Sequence, residues 1–274
     1  MVDGIDEADL SNQRDVIHAE RLGHRVRGTS HYSAVISRGL RSSTHPQNWP
    51  VIGLDDTLNG VTRPEVMAFV DAWVHPGNAT LVIAGDVDAP NTHALVRKWF
   101  EEIPAGSHFR GNHIDAFRHL PTPEFRRRIF IDEQGPKIVL AWNTVPIGHP
   151  DEAALDLLAG MISELDLPPG VDGLQAMTDN TILGGEFRIV AQPSGTSVRR
   201  AHRKLRQMLR RLSRSGLDEE MLLNAKLRWQ SKAIRATEDI NDRALLLSFC
   251  LDSYGEADCI QEQIQRHMSV KIDD

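Results

Sequence analysis

Three side chains that could bind a metal stand close together near the start of the sequence: His18, Glu20 and His24. Imidazole nitrogens and carboxylate oxygens are ordinary zinc ligands, so the triplet is a candidate metal site. In a helix, however, His18 lies about 200° around the axis from Glu20. Only Glu20 and His24, four residues apart, share a face, and two ligands make a poor zinc site. The alternative is an exposed pair on a helix surface.

Standard catalytic motifs do not occur elsewhere in the sequence. The 12 histidines include no H-x-x-E-H and no H-E-x-x-H pair, the helical zinc signatures of metallopeptidases. The sequence also has no Gly-x-Ser-x-Gly elbow and no Gly-rich phosphate loop. Asp86 and Asp88 could bind a cation, but they fit better as caps of a turn and of the next helix. Cys250 and Cys259 lack CxxC spacing, which excludes a Cys-rich zinc site and a disulfide framework.

The composition is that of an ordinary globular protein. The chain has 274 residues, of which 41% are hydrophobic and 25% charged, and its formal net charge is −7. This length predicts one or two domains with a substantial core. No stretch approaches the ~20 apolar residues that span a bilayer, and the acidic start MVDGIDEADL is unlike a signal peptide. We therefore expect a cytoplasmic protein with no membrane partner and, given its negative charge, no nucleic-acid partner.

One segment is strongly basic in spite of this negative charge. Leucines recur at helical spacing within it, which favours a solvated helix face over a phosphate-binding surface. The basic residues of this segment are Arg199, Arg200, Arg203, Lys204, Arg206, Arg210, Arg211 and Arg214.

Hydrophobic spacing predicts the elements of the first part of the chain. A helix is expected over residues 6–27, and the polar residues 28–59 are expected to form an extended connection. Thr62 and Glu65 form a capping box that begins the next helix. The apolar run 79–84 predicts a buried strand that contains Leu81, Val82 and Ile83, and a further helix follows from Asn91 or Thr92 to residue 103.

The second part of the chain mixes strands and helices after a linker at residues 104–124. The predicted pattern is a hairpin of two strands, a helix from residue 150, an ambiguous stretch at 164–182, a further strand and four helices. Two domains are expected to meet near residues 107–124, with Val139, Leu140 and Ile189 buried on strands. This order favours an α+β two-layer fold over a doubly wound sheet. The strands are 126–132, 137–145 and 186–191, and the later helices are 196–214, 217–236, 242–253 and 257–268.

Residues 51–106 resemble the insulinase/pitrilysin/mitochondrial-processing-peptidase family of zinc metallopeptidases. The similarity continues more weakly through GHPDEAALDLLAGMIS and GLDEEMLLNAKLRWQ, and it spans residues 11–254. The features that carry it, in order, are an Ile-Gly pair, a Thr-capped helix, the strand entry PGNAT, the turn GDVD and a helix that ends in Phe before IPAG.

This resemblance implies tandem metallopeptidase-like α+β domains, each a mixed or antiparallel sheet backed by helices and truncated at both ends. Residues 1–116 would be the second half of the first domain, and residues 117–274 a second domain that is incomplete at its end. The family's H-x-x-E-H zinc motif is absent from this sequence. The family also has substrate-binding Arg and Tyr residues, and the corresponding stretch 164–185 contains neither.

The same resemblance makes Glu20 the candidate third zinc ligand, because QRDVIHAERLGH is similar to the family's helix in which a Glu before an Arg completes the site. Family members often carry a second acid seven residues earlier, where this sequence has Gln13. We expect no catalytic residue in this chain and no tightly bound zinc, although zinc is the cofactor of the parent family. The function implied is the C-terminal part of a zinc metalloendopeptidase that cleaves peptides or small proteins. The alternative is a non-catalytic scaffold that pairs with a homologous partner subunit.

Overall fold

The computed structural model describes residues 5–26, 31–106, 131–132 and 135–274. The helices are α1 (Glu7–Val26), α2 (His31–Leu40), α3 (Asp55–Gly60), α4 (Arg63–Trp73), α5 (Ala89–Phe100), α6 (Glu152–Ser163), α7 (Val198–Ser215), α8 (Glu219–Arg235), α9 (Ile240–Tyr254) and α10 (Ile260–Ser269). The strands are β1 (Ile131–Asp132), β2 (Gly135–Pro136), β3 (Ile138–Thr144), β4 (Val171–Thr181) and β5 (Gly184–Pro193). None of the described helices is long and apolar enough to cross a membrane.

A three-stranded antiparallel sheet organises the second part of the chain. Its order is β3-β5-β4, so β5 is central and pairs with both neighbours. The predicted strand 186–191 is confirmed within β5, whereas β4 occupies the stretch that the sequence left ambiguous. Strand β4 lies at the edge of the sheet, and only Val171 and Ala176 of its residues are buried. The predicted α+β architecture is confirmed.

Helices α6 and α7 bury one face of this sheet, and α8 packs on α6. Leu205 of α7 is fully buried against Ile138 and Ala191 of the sheet. Helix α6 packs on the sheet next to α7, and its other side contacts α8, where Leu157 meets Leu222. The sheet and helices therefore form layers with three apolar clusters between them, and α10 packs against both α6 and α8.

Burial on the strands follows the prediction only in part. Ile189 on the central strand is 2% exposed and confirms its predicted burial. Val139 and Leu140 on the edge strand β3 are half-buried, although Leu140 packs against the core. An edge strand has a neighbour on one side only, which leaves part of each side chain in solvent.

The predicted capping box at the start of α4 is confirmed. The Glu65 carboxylate accepts hydrogen bonds from the Thr62 hydroxyl and from the Thr62 backbone N–H, at 2.7 and 2.8 Å. These bonds favour the ionised form and hold the pKa of Glu65 below its usual value.

Two predictions for the first part of the chain are wrong. The run 79–84 is not a strand, and Leu81 and Ile83 are 56% and 45% exposed, with Val82 half-buried. An apolar run forms a strand only where another strand pairs with it, and residues 31–106 contain no other strand in the described structure. The expected extended connection at 28–59 contains helices α2 and α3, because Ile36 and Leu40 supply an apolar side that becomes buried. The predicted domain boundary and most of the linker lie outside the described residues.

A disulfide joins Cys250 at the end of α9 to Cys259 at the start of α10. The two Cα atoms are 5.4 Å apart, and both side chains are buried. Gly255 makes this approach feasible, because its left-handed φ of 79° ends α9 and turns the chain back. The expectation that the cysteines form no disulfide is therefore wrong, since a tight turn brings residues nine positions apart into bonding distance.

Reduction of this disulfide is expected to destabilise the fold by about 2–3 kcal/mol, because the bond closes a short loop in the unfolded chain. The measurement is urea unfolding with and without a phosphine reductant. The Cys250→Ser/Cys259→Ser double variant is the control and should not respond to the reductant. An unchanged midpoint for the reduced wild-type protein would contradict the expectation.

The α9–α10 corner is anchored on the buried carboxylate of Glu152, at the start of α6. Glu152 accepts a 2.8 Å hydrogen bond from the Gly148 backbone N–H. The Tyr254 hydroxyl donates to it, and Arg266 forms an ion pair with it, both at 3.5 Å. Burial and the negative charge of Glu152 raise the pKa of Tyr254 to about 12.

The Tyr254 phenol is therefore expected to ionise late in an alkaline titration of the folded protein. The pKa in the unfolded chain is about 10. The contribution of Tyr254 to stability is then complete below pH ~10 and is lost as the pH rises toward 12. The difference in phenolate absorbance between the wild-type protein and Tyr254→Phe isolates this one group. Ionisation of Tyr254 near pH 10 in the folded protein would refute the expectation.

Candidate functional site

One row of side chains fixes α1 against the segment that contains α3. The Arg14 guanidinium donates to the Val61 carbonyl, and the His18 Nε2 lies 3.0 Å from the Asn59 Oδ1. Arg21 donates to the Gly53 carbonyl at 2.6 Å and forms an ion pair with Asp55. These three side chains recur at four- and three-residue spacing and so share one face of the helix.

Glu20 lies on a different face of α1 and is exposed. At 100° per residue, it is about 120° around the axis from the contact row of Arg14, His18 and Arg21. Gln13 lies on the same side as Glu20 and is also exposed. The candidate zinc ligand therefore points away from the contact with α3. On this exposed face, a further segment could reach it.

Too few candidate ligands lie together in the described residues to hold a zinc ion. His18 is turned toward Asn59 and Asp55 and does not join Glu20, as the helical spacing predicted. The side chain of His24 lies outside the described residues. No group of three His, Cys, Asp or Glu side chains in the described ranges could hold a metal. These residues alone do not fit a zinc ion, and the role of Glu20 as a ligand stays a prediction.

A buried charge cluster lies on the face of the sheet that is opposite α6 and α7. The Glu186 carboxylate is 3% exposed; the Arg188 Nε donates to it at 2.6 Å, and the Arg41 Nη1 lies 3.6 Å away. Arg41 follows α2, so the cluster links the first part of the chain to the central strand. The Asn143 side chain donates to the Leu40 carbonyl at 2.7 Å and strengthens the same junction.

Sequence reasoning missed this cluster. Arg188 lies three positions beyond the stretch 164–185 that corresponds to the family's substrate-binding residues, and Arg41 lies in the segment 28–59 that is predicted to be an extended connection. Alternation along β5 could have placed Glu186 and Arg188 on the same face, since they are two residues apart. His45 lies beside the cluster, and its burial together with the positive charge of Arg41 lowers its pKa.

A cavity of about 430 Å³ lies between α6 and α8. Its floor is apolar and includes Met161 and Trp229, whereas Glu164 and Arg228 form an ion pair at its edge. The His267 ring stacks on Trp229 with 3.5 Å between centroids. Asp156 also lines the cavity; its carboxylate accepts a hydrogen bond from the Thr178 hydroxyl and lies 3.2 Å from the His267 Nε2.

The fold and the matched sequence together define the class of protein. Residues 60–228 match the family described as the Peptidase M16 inactive domain. The chain belongs to this family.

Two sequence relatives are described as zinc proteases, and each matches this chain over a limited length. The chain is 25% identical over 130 residues to the zinc protease PqqE of Helicobacter pylori, which covers 44% of this chain and 27% of that protein. It is 35% identical over 66 residues to the probable zinc protease PqqL of Escherichia coli, which covers 24% of this chain and 7% of that protein. The chain thus spans about a quarter or less of the length of these relatives.

Solved structures share the fold over nearly the whole chain. A protease from Helicobacter pylori superimposes with a TM-score of 0.76 at 18% identity and covers 98% of this chain and 68% of its own. The M16 inactive domain from Pseudomonas fluorescens gives 0.74 at 13%, with 98% and 66% covered. The first half of the periplasmic protease PqqL from Escherichia coli gives 0.70 at 16%, with 98% and 62% covered.

Proposed function

We propose that this chain is the non-catalytic part of a two-part zinc metalloendopeptidase and works together with a catalytic M16 half that supplies the zinc-binding histidine pair. Its membership of the inactive-domain family and its similarity to zinc proteases support this proposal. The substrate class that follows from the parent family is peptides or small proteins.

The observation that carries the proposal is the uncovered apolar surface of the first part of the chain. A folded protein normally buries most of its large apolar side chains, and a concentration of exposed ones indicates a surface that another segment covers. Between residues 69 and 100, the large apolar side chains that are at least 38% exposed are Phe69, Trp73, Val74, Leu81, Ile83, Val87, Leu95, Trp99 and Phe100.

Exposed apolar side chains also occur in the second part of the chain, but there they surround enclosed apolar clusters. There the sheet and α6, α7 and α8 enclose three apolar clusters. The first part has helices α4 and α5 and the unpaired run 79–84, but none of these clusters. This contrast is what a half-domain would show if its remaining strands and helices came from another segment. In that arrangement Glu20 would be the third zinc ligand, next to two histidines of the added half.

The alternative is a scaffold subunit without any part in zinc binding. The fold of this chain also matches a chain in a structure described as Complex III2 from Candida albicans, with a TM-score of 0.72 at 12% identity. That description names an assembly and no peptidase. A scaffold would use the same apolar surface for association but would not need Glu20.

The proposal predicts association without activity in the isolated chain. Mixed with the N-terminal half of the Helicobacter pylori zinc protease, the chain should elute with it as one species in gel filtration. Alone, it should show no chelator-sensitive cleavage of unstructured peptides, because one carboxylate cannot hold zinc or activate its water.

The matched control is Phe69→Asp/Trp99→Asp, which places charges on the apolar surface and should abolish co-elution. Leu223→Asp, on an exposed position of α8 outside this surface, should not. Zinc-dependent hydrolysis by the isolated chain, abolished in Glu20→Gln, would refute the proposal and reveal an active site in this chain alone.

The cytoplasmic setting expected from the sequence is a proposal. A cytoplasmic setting would keep Cys250 and Cys259 reduced, because cytosolic thiol systems prevent most disulfides. Rapid alkylation of thiols in intact cells, followed by mass spectrometry, tests it: two alkylated cysteines would support the cytoplasmic setting, and an intact Cys250–Cys259 disulfide would contradict it.

A further inference from the structure

The exposed face of α7 carries a high density of positive charge. Its 18 residues include seven arginines, one lysine and no aspartate or glutamate. The other parts of the chain contain 23 lysines and arginines against 38 aspartates and glutamates. Helix α7 is therefore a local positive surface on a protein that is otherwise strongly acidic.

The positive residues occupy one side of the helix because the apolar residues occupy the other. Ala201 and Leu205 are fully buried against the sheet. Within the part of the chain that the structure describes, none of the eight cations forms an ion pair with a carboxylate. Like charges at helical spacing repel, so the arrangement costs folding stability. A merely solvated helix face normally mixes both signs of charge, and this one does not.

Four of the arginines form a row that lines a shallow groove. Arg199, Arg203, Arg206 and Arg210 follow one another at four-, three- and four-residue spacing, which gives a row about 16 Å long. With His202 and Gln207 they line a volume of about 540 Å³. We call these four residues the arginine row.

We propose that the arginine row binds an acidic segment of a polypeptide partner. The guanidinium group presents paired N–H donors that match a carboxylate in a bidentate geometry. A row of about 16 Å corresponds to about five residues of extended chain. The proposal is independent of the zinc-peptidase function, since α7 contains neither Glu20 nor any residue of the apolar surface.

Other anionic partners fit the same surface less well. A bilayer or a nucleic-acid duplex extends beyond the row and would meet the excess of carboxylates on the other parts of the protein. Single-stranded nucleic acids are held by aromatic stacking, and α7 contains no aromatic residue. A short acidic peptide can contact the arginine row without meeting the carboxylates on the other parts of the protein.

The test is fluorescence anisotropy of the full chain with a labelled peptide of eight glutamates, and with eight glutamines as the uncharged probe. Binding of the acidic peptide should be saturable and should weaken as salt is added. Substituting the arginine row by glutamine (R199Q/R203Q/R206Q/R210Q) should weaken it by roughly tenfold or more.

The matched control removes the same charge from the same helix outside the row (R200Q/K204Q/R211Q/R214Q). This variant should bind the glutamate peptide less than about threefold more weakly than the wild-type protein. Circular dichroism checks that each variant folds. If the glutamine row variant does not fold, R199K/R203K/R206K/R210K keeps the charge and should still bind more weakly, because lysine lacks the paired donors.

Equal losses in the two glutamine variants would overturn the arginine row as the binding site. Tighter binding of a DNA duplex or of phosphatidylglycerol vesicles than of the glutamate peptide would overturn the class of partner.

Discussion

Replacing Glu20 by alanine is expected to lower the zinc affinity of the protein assembled with a catalytic M16 half by about a hundredfold or more. Loss of a group that only orients a metal ligand costs 10- to 100-fold, so loss of a direct ligand should cost at least as much. The ligand must reach a metal at about 2 Å, and Glu20 lies on an exposed face of α1 where a further segment could meet it. Zinc content after gel filtration of the assembled protein is the measurement.

Glu7→Ala is the matched control for this experiment. Glu7 is also an exposed glutamate of α1, but it lies in the first turn, more than three turns from Glu20. Zinc retention should be unchanged in this variant. Equal retention in Glu20→Ala would show that Glu20 is an ordinary surface carboxylate, and the scaffold alternative would then be favoured over the two-part peptidase.

Leu205→Ala is expected to destabilise the second part of the chain by about 3 kcal/mol. Leu205 is 0% exposed and lies at the centre of the contact between α7 and the sheet. Truncation removes its buried methyl groups and leaves a cavity that the surrounding Ile138 and Ala191 cannot fill. Urea unfolding followed by far-UV circular dichroism measures the change.

Leu223→Ala provides the comparison, because Leu223 is the same residue type on α8 but is 52% exposed. Its effect should stay within about 0.5 kcal/mol. Similar losses in both variants would mean that the apolar cluster around Leu205 does not stabilise the sheet.

Local signals in the sequence predicted the elements whose formation depends on nearby residues. The capping box of Thr62 and Glu65 requires only four residues of chain, and the Glu65 carboxylate accepts hydrogen bonds from the Thr62 N–H and hydroxyl. The predicted break between the helices at 196–214 and 217–236 is also present, and α7 ends at Gly216 with a positive φ of 77°. Such features depend on spacing alone, so the sequence determines them directly.

Elements that depend on distant partners were predicted less well. The run 79–84 has the composition of a buried strand, but it needs a neighbouring strand to become one. Helix α2 lies in the mostly polar stretch 28–59, and it is fixed in the fold by a distant strand, because the Asn143 side chain of β3 donates to the Leu40 carbonyl. The Cys250–Cys259 bond depends on the turn at Gly255, which the sequence analysis did not use.

The candidate site was predictable to the same limited extent. Helical geometry correctly separated His18 from Glu20, because the angle between two residues of one helix follows from their spacing. The cluster of Arg41, Glu186 and Arg188 joins residues more than 140 positions apart, and no local pattern reveals such a contact. Its detection required the folded chain.

The uneven distribution of apolar contacts has a thermodynamic consequence. A segment whose apolar side chains are covered only by a partner gains part of its folding free energy from binding. The order of residues 55–106 should therefore rise with the concentration of that partner, while the sheet and α6–α8 remain folded without it. The partner would also bind more weakly than its contact area suggests, since part of the interaction energy is consumed in ordering this segment.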